Sequence, residues 1–246
     1  MANKSLGQHW LKNREVLNHI ADLAHVDNIK TCLEIGPGLG HLTSSLLKNF
    51  EEVIAVEFDQ KLAENLPKSF PGKNLTVINE DILSFNFETV PAPFVVAGNI
   101  PYYITSPIIE KLLSLKNHPE KIVLLIQKEV ADRLVAEKGK HTLLSLSAQN
   151  RAKVERDITV PAEFFDPAPK VDSAIIVLTP YGTPQIPLET FTLIKEGMKS
   201  PRKKLTNNLS SYENITELLK NLNISKDARP SDLDLTDWQN LQNLLK

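Results

Sequence analysis

The stretch "TCLEIGPGLG" (31–40) constrains the fold more than any other part of the chain. A short apolar run leads straight into glycines spaced G-x-G-x-G. Glycine has no Cβ, so the chain can turn tightly there and a ligand can approach the main chain. A strand ending in such a loop and followed by a helix is the start of a β-α unit, and the loop alone suits either a bound nucleotide or a plain glycine turn. The alternation then repeats. The apolar runs "EVIAVEFD" (52–59), "NLTVINED" (74–81), "PFVVAGN" (93–99) and "KIVLLIQ" (121–127) read as strands. Between them lie helical patterns at 13–25, 41–48, 60–70, 106–115 and 128–138; the first carries Val16, Leu17, Ile20, Leu23 and Ala24 at helical spacing. Strands alternating with helices predict an α/β protein with a mostly parallel sheet and helices on both faces.

Beyond residue 138 come a Ser/Leu-rich segment, a strand "RAKVERDITV" (151–160), a proline-broken loop "FFDPAPKVDS" (164–173) and a last strand "AIIVLTP" (174–180). Residues 188–246 are helical in pattern. Two domains are expected, 1–180 and a small all-α domain at 181–246. A chain of 246 residues buries enough core to hold both. Cys32 is the only cysteine, which excludes an intramolecular disulfide and a cysteine metal cage; no metal is expected. The N-terminal residues lack the apolar core of a signal peptide, and no apolar run approaches the ~18–20 residues of a membrane span, so a cytoplasmic location is expected. Net charge is −2, which gives no general attraction to nucleic acid. The charge is uneven, however: Lys195, Lys199, Arg202, Lys203 and Lys204 face one Glu196 within "KEGMKSPRKK", and 128–156 is also rich in Lys and Arg. Such a run is either a solvated helix face or a phosphate-gripping patch, since the field that matters acts within roughly 8–10 Å.

Open α/β sheets bind ligands at the carboxyl ends of their strands. Those ends supply Glu34, Gly36, Gly38 and Gly40; then Glu57 and Asp59; then Glu80 and Asp81; then Asn99, Pro101, Tyr102 and Tyr103. The glycine loop, with Glu57 placed for ribose hydroxyls, suits NAD and S-adenosylmethionine alike. Two details separate them. The glycines are not spaced G-x-G-x-x-G, and Asp81 is suited to an adenine amine. "GNIPYYI" (98–104) narrows the reading further, because "NIPY" matches the [N/D/S]-x-P-[Y/F] pattern of methyltransferases acting on amino groups of nucleic-acid bases. The side-chain oxygen of Asn99 and the carbonyl of Ile100 can accept the two N–H bonds of adenine N6. Pro101 fixes the turn, and Tyr102 offers a face for the base. A turn closing a strand, with tyrosines packed nearby, would use the same residues.

With these motifs in place, the chain resembles the ribosomal RNA adenine N6,N6-dimethyltransferase family, with its KsgA-type small-subunit enzymes and Erm-type relatives. "GQHWL" (7–11), "LEIGPGLG" (33–40), "VEFD" (56–59), "EDIL" (80–83), "NIPYYI" (99–104) and "FFDPAPKVDSA" (164–174) match its motifs in order. "RKKLTNNL" and "RPSDLDLTDWQNL" resemble its helical C-terminal domain. The resemblance implies a Rossmann-like S-adenosylmethionine-dependent methyltransferase sheet. It implies that His9, Leu11, Gly36, Gly38, Glu57, Asp81 and Asn99 hold the cofactor, and that Asn99, Ile100, Pro101 and Tyr102 orient the target. It also implies that Phe165 stacks the flipped base against Tyr102, with Pro167 and Pro169 stiffening its loop. On the residues alone, Phe164 and Phe165 read as core, and His41 and Tyr103 as structural. Trp10 stands where the family commonly has Phe, and 137–149 is shorter than the family's segment there and lacks its pattern.

The function implied is dimethylation of two adjacent adenosines near the 3′ end of small-subunit ribosomal RNA in the immature 30S particle, by a monomer. Lys199, Arg202, Lys203 and Lys204 would grip phosphates. Erm-type modification of 23S RNA and a mainly non-catalytic assembly factor are the alternatives; a nicotinamide-dependent oxidoreductase fits least.

Overall fold

In the computed structural model, which describes residues 8–245, every apolar run read as a strand is one. The elements in chain order are β1 (Trp10–Leu11), α1 (Arg14–Ala24), β2 (Thr31–Ile35), α2 (Thr43–Asn49), β3 (Glu52–Glu57), α3 (Gln60–Asn65), β4 (Leu75–Asn79), β5 (Phe94–Asn99), α4 (Thr105–Ser114), β6 (Lys121–Gln127) and α5 (Lys128–Leu134). There follow α6 (Leu143–Arg151), β7 (Ala152–Val160), β8 (Phe165–Asp166), β9 (Ser173–Pro180), α7 (Leu188–Gly197), α8 (Leu205–Asn208), α9 (Ile215–Asn221) and α10 (Leu235–Leu244). Local chemistry sets several boundaries. The Asn13 side chain accepts from the Val16 amide at 3.0 Å and starts α1, whose Val16, Leu17, Ile20, Ala21 and Ala24 are then buried. Asp59 caps α3 in the same way through the Leu62 amide at 3.2 Å.

Seven strands form one sheet in the order β4-β3-β2-β5-β6-β9-β7. The first five are parallel, and β9 runs antiparallel to β6. Val95, Val96 and Ala97, like Ile122 to Ile126, are fully buried, so residues pointing to either side of the sheet are covered. One core cluster joins Val16, Leu17 and Ile20 of α1 and Leu46 of α2 to Cys32, Val53, Val95 and Val123 of the sheet. Because β2 has β3 on one side and β5 on the other, the strand order reverses between β2 and β5. The register there sets Ile35 against Gly98, which brings the glycine loop and Asn99 out at the same edge.

The chain divides into two compact units, and the division amends the expected domains. One unit takes the chain up to Ala131 together with Lys153–Pro180; the other takes Asp132–Ala152 and everything from Tyr181. The break near 180 lies where the pattern changes, but 132–152 joins the helical unit. The reason is packing and pairing. Leu146 of α6 sits in a core with Leu193, Ile194, Leu205 and Trp238. Lys138 pairs with Asp237 at 2.5 Å, and the Gln185 and Ile186 amides donate to Asn150 at 2.8 and 2.9 Å. The Ser/Leu-rich segment is thus a helix, started by a reciprocal Thr142–Ser145 capping box. The helix expected over 128–138 stops earlier, at Leu134. Among the described residues no helix is long and apolar enough to cross a membrane.

Candidate functional site

A cleft opens at the carboxyl edge of β2, β3, β4 and β5. His9, Trp10, Leu11, Glu34, Gly36, Gly38, Glu57, Asp81, Asn99, Ile100, Pro101 and Tyr102 all line it. Sequence reasoning had drawn most of this set from motifs scattered over ninety residues of chain. Gly7 of the first motif lies outside the described residues.

The glycine loop is shaped by its backbone. Gly36 and Gly38 both have positive φ, +65° and +57°, which L side chains rarely adopt. A Cβ on Gly38 would come within 3.1 Å of Trp10 Nε1, so the indole packs directly over the loop. The Gly38 amide donates to Glu57 Oε2 at 3.0 Å, and the Asp59 amide donates to Oε1 at 2.8 Å. Glu57 is therefore locked to the loop it faces. Burial pushes its carboxyl up, and those two amides offset part of the effect. Beneath it, Glu34 is fully buried and accepts from Thr43 Oγ1 at 2.6 Å. Burial, with the Glu57 charge nearby, raises the Glu34 carboxyl to about 8, against a relieving contribution from Thr43. At neutral pH Glu34 holds a proton, and the floor of the cleft does not carry two carboxylate charges side by side. Asp81 is exposed and accepts from the Leu83 amide at 2.9 Å; Asp59 is occupied as the α3 cap.

Across the cleft, the residues after β5 form a short 3-10 turn, Tyr102–Ile104, led by Pro101 with φ −59°. Asn99 Nδ2 donates to the His9 carbonyl at 2.9 Å, and no described residue donates to Oδ1. That bond fixes which end of the carboxamide is the acceptor. His9 ties three segments together. Besides receiving Asn99, its ring stacks on Tyr102 with centroids 5.9 Å apart, and its Nδ1 donates to the Pro167 carbonyl at 2.7 Å. The Tyr102 hydroxyl is within 2.8 Å of Ser173 Oγ, and burial raises the phenol above its ordinary range.

The other residues singled out from the sequence are placed variously. Phe165 is 5% exposed, belongs to the core cluster and does not line the cleft. It pairs with Leu11 in the two-stranded β1–β8 ladder, and its side chain is buried in this structure. His41 and Tyr103, read as structural, both line the cleft. His41 Nδ1 donates to the Leu11 carbonyl at 2.8 Å, and Tyr103 is 63% exposed. In the helical unit, Lys199, Arg202 and Lys203 are exposed, as a phosphate-gripping role requires, but Lys204 is taken up in an ion pair with Asp227 at 2.5 Å. Ser173 carries no role from sequence reasoning, although it stands in the quoted "FFDPAPKVDSA" motif, the signal that could have pointed to it. Among the described residues no cluster of three His, Cys, Asp or Glu could hold a metal.

A doubly wound sheet with a glycine loop, a carboxylate bonded to that loop and an Asn-Ile-Pro-Tyr turn at the switch point defines a Rossmann-like methyltransferase. Solved structures agree. The chain superposes on the 23S rRNA methyltransferase ErmE with a TM-score of 0.81 at 26% identity, covering 96% of this chain and 99% of that one. A dimethyladenosine transferase from Plasmodium falciparum gives 0.79 at 28% identity over 95% and 96%. In sequence, the ribosomal RNA small subunit methyltransferase A of Acaryochloris marina is 44% identical over 252 residues, 96% of this chain and 94% of that protein. The pattern of the ribosomal RNA adenine dimethylase family matches residues 1–246, and the chain belongs to that family.

Proposed function

We propose that this chain transfers two methyl groups, one after the other, to N6 of adenosines in small-subunit ribosomal RNA, with S-adenosylmethionine as donor. The observation that carries the reading is the Asn99 carboxamide, pinned through Nδ2 to the His9 carbonyl so that Oδ1 remains as an acceptor in the cleft. Small-subunit RNA is preferred because relatives at 44% and 42% identity over nearly the full chain are named for that subunit. Two adjacent adenosines in the 3′ hairpin, within the immature particle, are the sites proposed.

The residues present fit the donor. The positive-φ glycines lay bare main chain that a Cβ would cover, and the ends of the two strands beyond the glycine loop carry carboxylates, Glu57 after β3 for ribose hydroxyls and Asp81 after β4 for an adenine amine. His9, Leu11, Gly36 and Gly38 would complete the holding set. When bound, S-adenosylmethionine supplies an electrophilic methyl group on sulfur. This chain's residues do the rest. Adenine N6 is a poor nucleophile because its lone pair is conjugated into the ring. Asn99 Oδ1 and the Ile100 carbonyl accept its two N–H bonds, which turns the lone pair out of the ring plane. Pro101 holds the turn that aims the carbonyl, and Tyr102 presents a ring to the extruded base. Catalysis then rests on positioning and on fixed dipoles rather than on a basic side chain; the N6 proton passes to water as the C–N bond forms. After the first transfer one N–H remains, and one of the two acceptors suffices to hold it. Loop adenosines cost little to unstack, which favours a hairpin target. Lys199, Arg202 and Lys203 would bind phosphate, with Lys204 joining by exchanging a weak exposed pair; binding should then weaken steeply with salt.

The test is to give the purified protein labelled donor with immature small subunits and, separately, naked large-subunit RNA, then map dimethyladenosine by mass spectrometry. Two adjacent modified adenosines near the 3′ end of the small-subunit RNA support the reading. Modification of the large-subunit RNA alone would assign the Erm-type activity instead, and no modification of either would leave a non-catalytic assembly role.

A further inference from the structure

Tyr102 and Tyr103 are consecutive residues of one 3-10 turn with opposite surroundings. Tyr102 is anchored twice, by Ser173 through its hydroxyl and by His9 through its ring. Tyr103 is 63% exposed, and among the described residues its side chain makes no hydrogen bond or ring contact, yet it lines the same cleft four residues from Asn99. A single exposed aromatic is ordinary on any surface. One held on a proline-fixed turn at the rim of a catalytic cleft is a stacking platform, because a base contributes a π-face whatever its identity. Tyr102, the other ring of the turn, is already held by Ser173 and His9, and Phe165 is buried in the core.

Resting on the function proposed above, we infer that Tyr103 stacks on the nucleobase flanking the target adenosine. The target goes deeper, to Asn99 and Tyr102, so the base next to it in the strand is the one that meets a ring at the rim. Stacking there holds the strand beside the extruded nucleotide and sets the register in which the adenosine is presented. The ring is the working part. The hydroxyl is not, since no described group bonds to it.

The experiment uses the full-length protein with immature small subunits, and a 3′-hairpin RNA carrying 2-aminopurine beside the target adenosine. Tyr103→Ala is expected to raise KM for RNA about tenfold, within the range for one lost base–aromatic stack. Its kcat should change less than about twofold, and its affinity for S-adenosylmethionine, measured by calorimetry, should match that of the unaltered protein. The 2-aminopurine quenching that accompanies binding should disappear with Ala and return with Tyr103→Phe and Tyr103→Trp. An unchanged KM with quenching retained in Tyr103→Ala, or failure of Tyr103→Phe alongside Ala, overturns the inference while leaving the function intact. Failure of the unaltered protein to methylate small-subunit RNA overturns both.

Discussion

The two walls of the cleft are built by different means. The wall over β2 and β3 is made of main chain and carboxylates: positive-φ glycines, two backbone amides bonded to Glu57, and Glu34 sealed beneath with Thr43. The wall after β5 is made of side chains anchored to carbonyls and to one another: Asn99 on the His9 carbonyl, His9 on the Pro167 carbonyl and the Tyr102 ring, Tyr102 on Ser173, and Tyr103 left open. Under the proposed function, the wall of backbone amides would recognise what every substrate encounter shares, the donor, and the wall of rings and one carboxamide would read what differs, the RNA. The difference teaches where variation is tolerated: backbone geometry is lost with any side chain added to a glycine, whereas rings can be exchanged for rings.

The sharpest way to break this contrast is Asn99→Ala. It removes an acceptor aimed at a reacting group, and turnover should fall about 10²–10³-fold, the cost of one preorganised hydrogen-bonding group at a reaction centre. Binding to the small subunit should persist. Near-normal turnover in single-turnover assays would show that the side-chain wall does not orient N6.

Glu57→Gln tests the opposite wall. The amide group would set an N–H against the amide of Gly38 or Asp59, replacing a charge-assisted bond with a clash of donors. The dissociation constant for S-adenosylmethionine should rise about 10- to 100-fold by calorimetry, with KM for RNA little changed. A larger effect on RNA than on donor would mean that the two walls do not divide the work.

The smallest effect concerns stability. The Glu34 carboxyl lies at about 8 in the folded protein against 4.5 as its ordinary value, because burial disfavours its charge. Between those values the native state binds a proton that the unfolded chain has lost. The stabilising contribution is therefore complete below about 4.5 and is lost as pH rises to about 8. The slope reaches at most about 1.4 kcal/mol per pH unit. Denaturant titrations at several pH values should show Glu34→Gln with a flatter dependence than the unaltered protein over that window. Identical slopes would show that Glu34 is ionised in the fold.

The two walls also differ in how far the amino-acid sequence reveals them. The backbone wall was legible, because a glycine spacing after a buried strand dictates both the turn and the approach of a ligand. The strands were legible for the same reason: runs such as "KIVLLIQ" and "PFVVAGN" have no place except a covered sheet. The side-chain wall was legible only as a list. Nothing local tells which of two adjacent tyrosines is anchored, because the anchors, Ser173 and His9, lie about seventy and ninety residues away. The burial of Phe165 could not be read locally, because it depends on a two-residue ladder joining Trp10 to Asp166 across the whole unit. The helix Leu143–Arg151 was passed over because it is only weakly amphipathic; its Thr142 and Ser145 capping pair was the available signal. Its membership in the helical unit comes from contacts with residues beyond 181, which no contiguous reading can divide.

The most direct measurement is a crystal structure of the full chain with S-adenosylhomocysteine and adenosine, or a short target hairpin, in the cleft. The account predicts adenine N6 within hydrogen-bonding distance of both Asn99 Oδ1 and the Ile100 carbonyl, with Asn99 Nδ2 still on His9. An adenine bound with N6 turned away from Asn99, or an Asn99 side chain released from His9 and rotated out of the cleft, would contradict it.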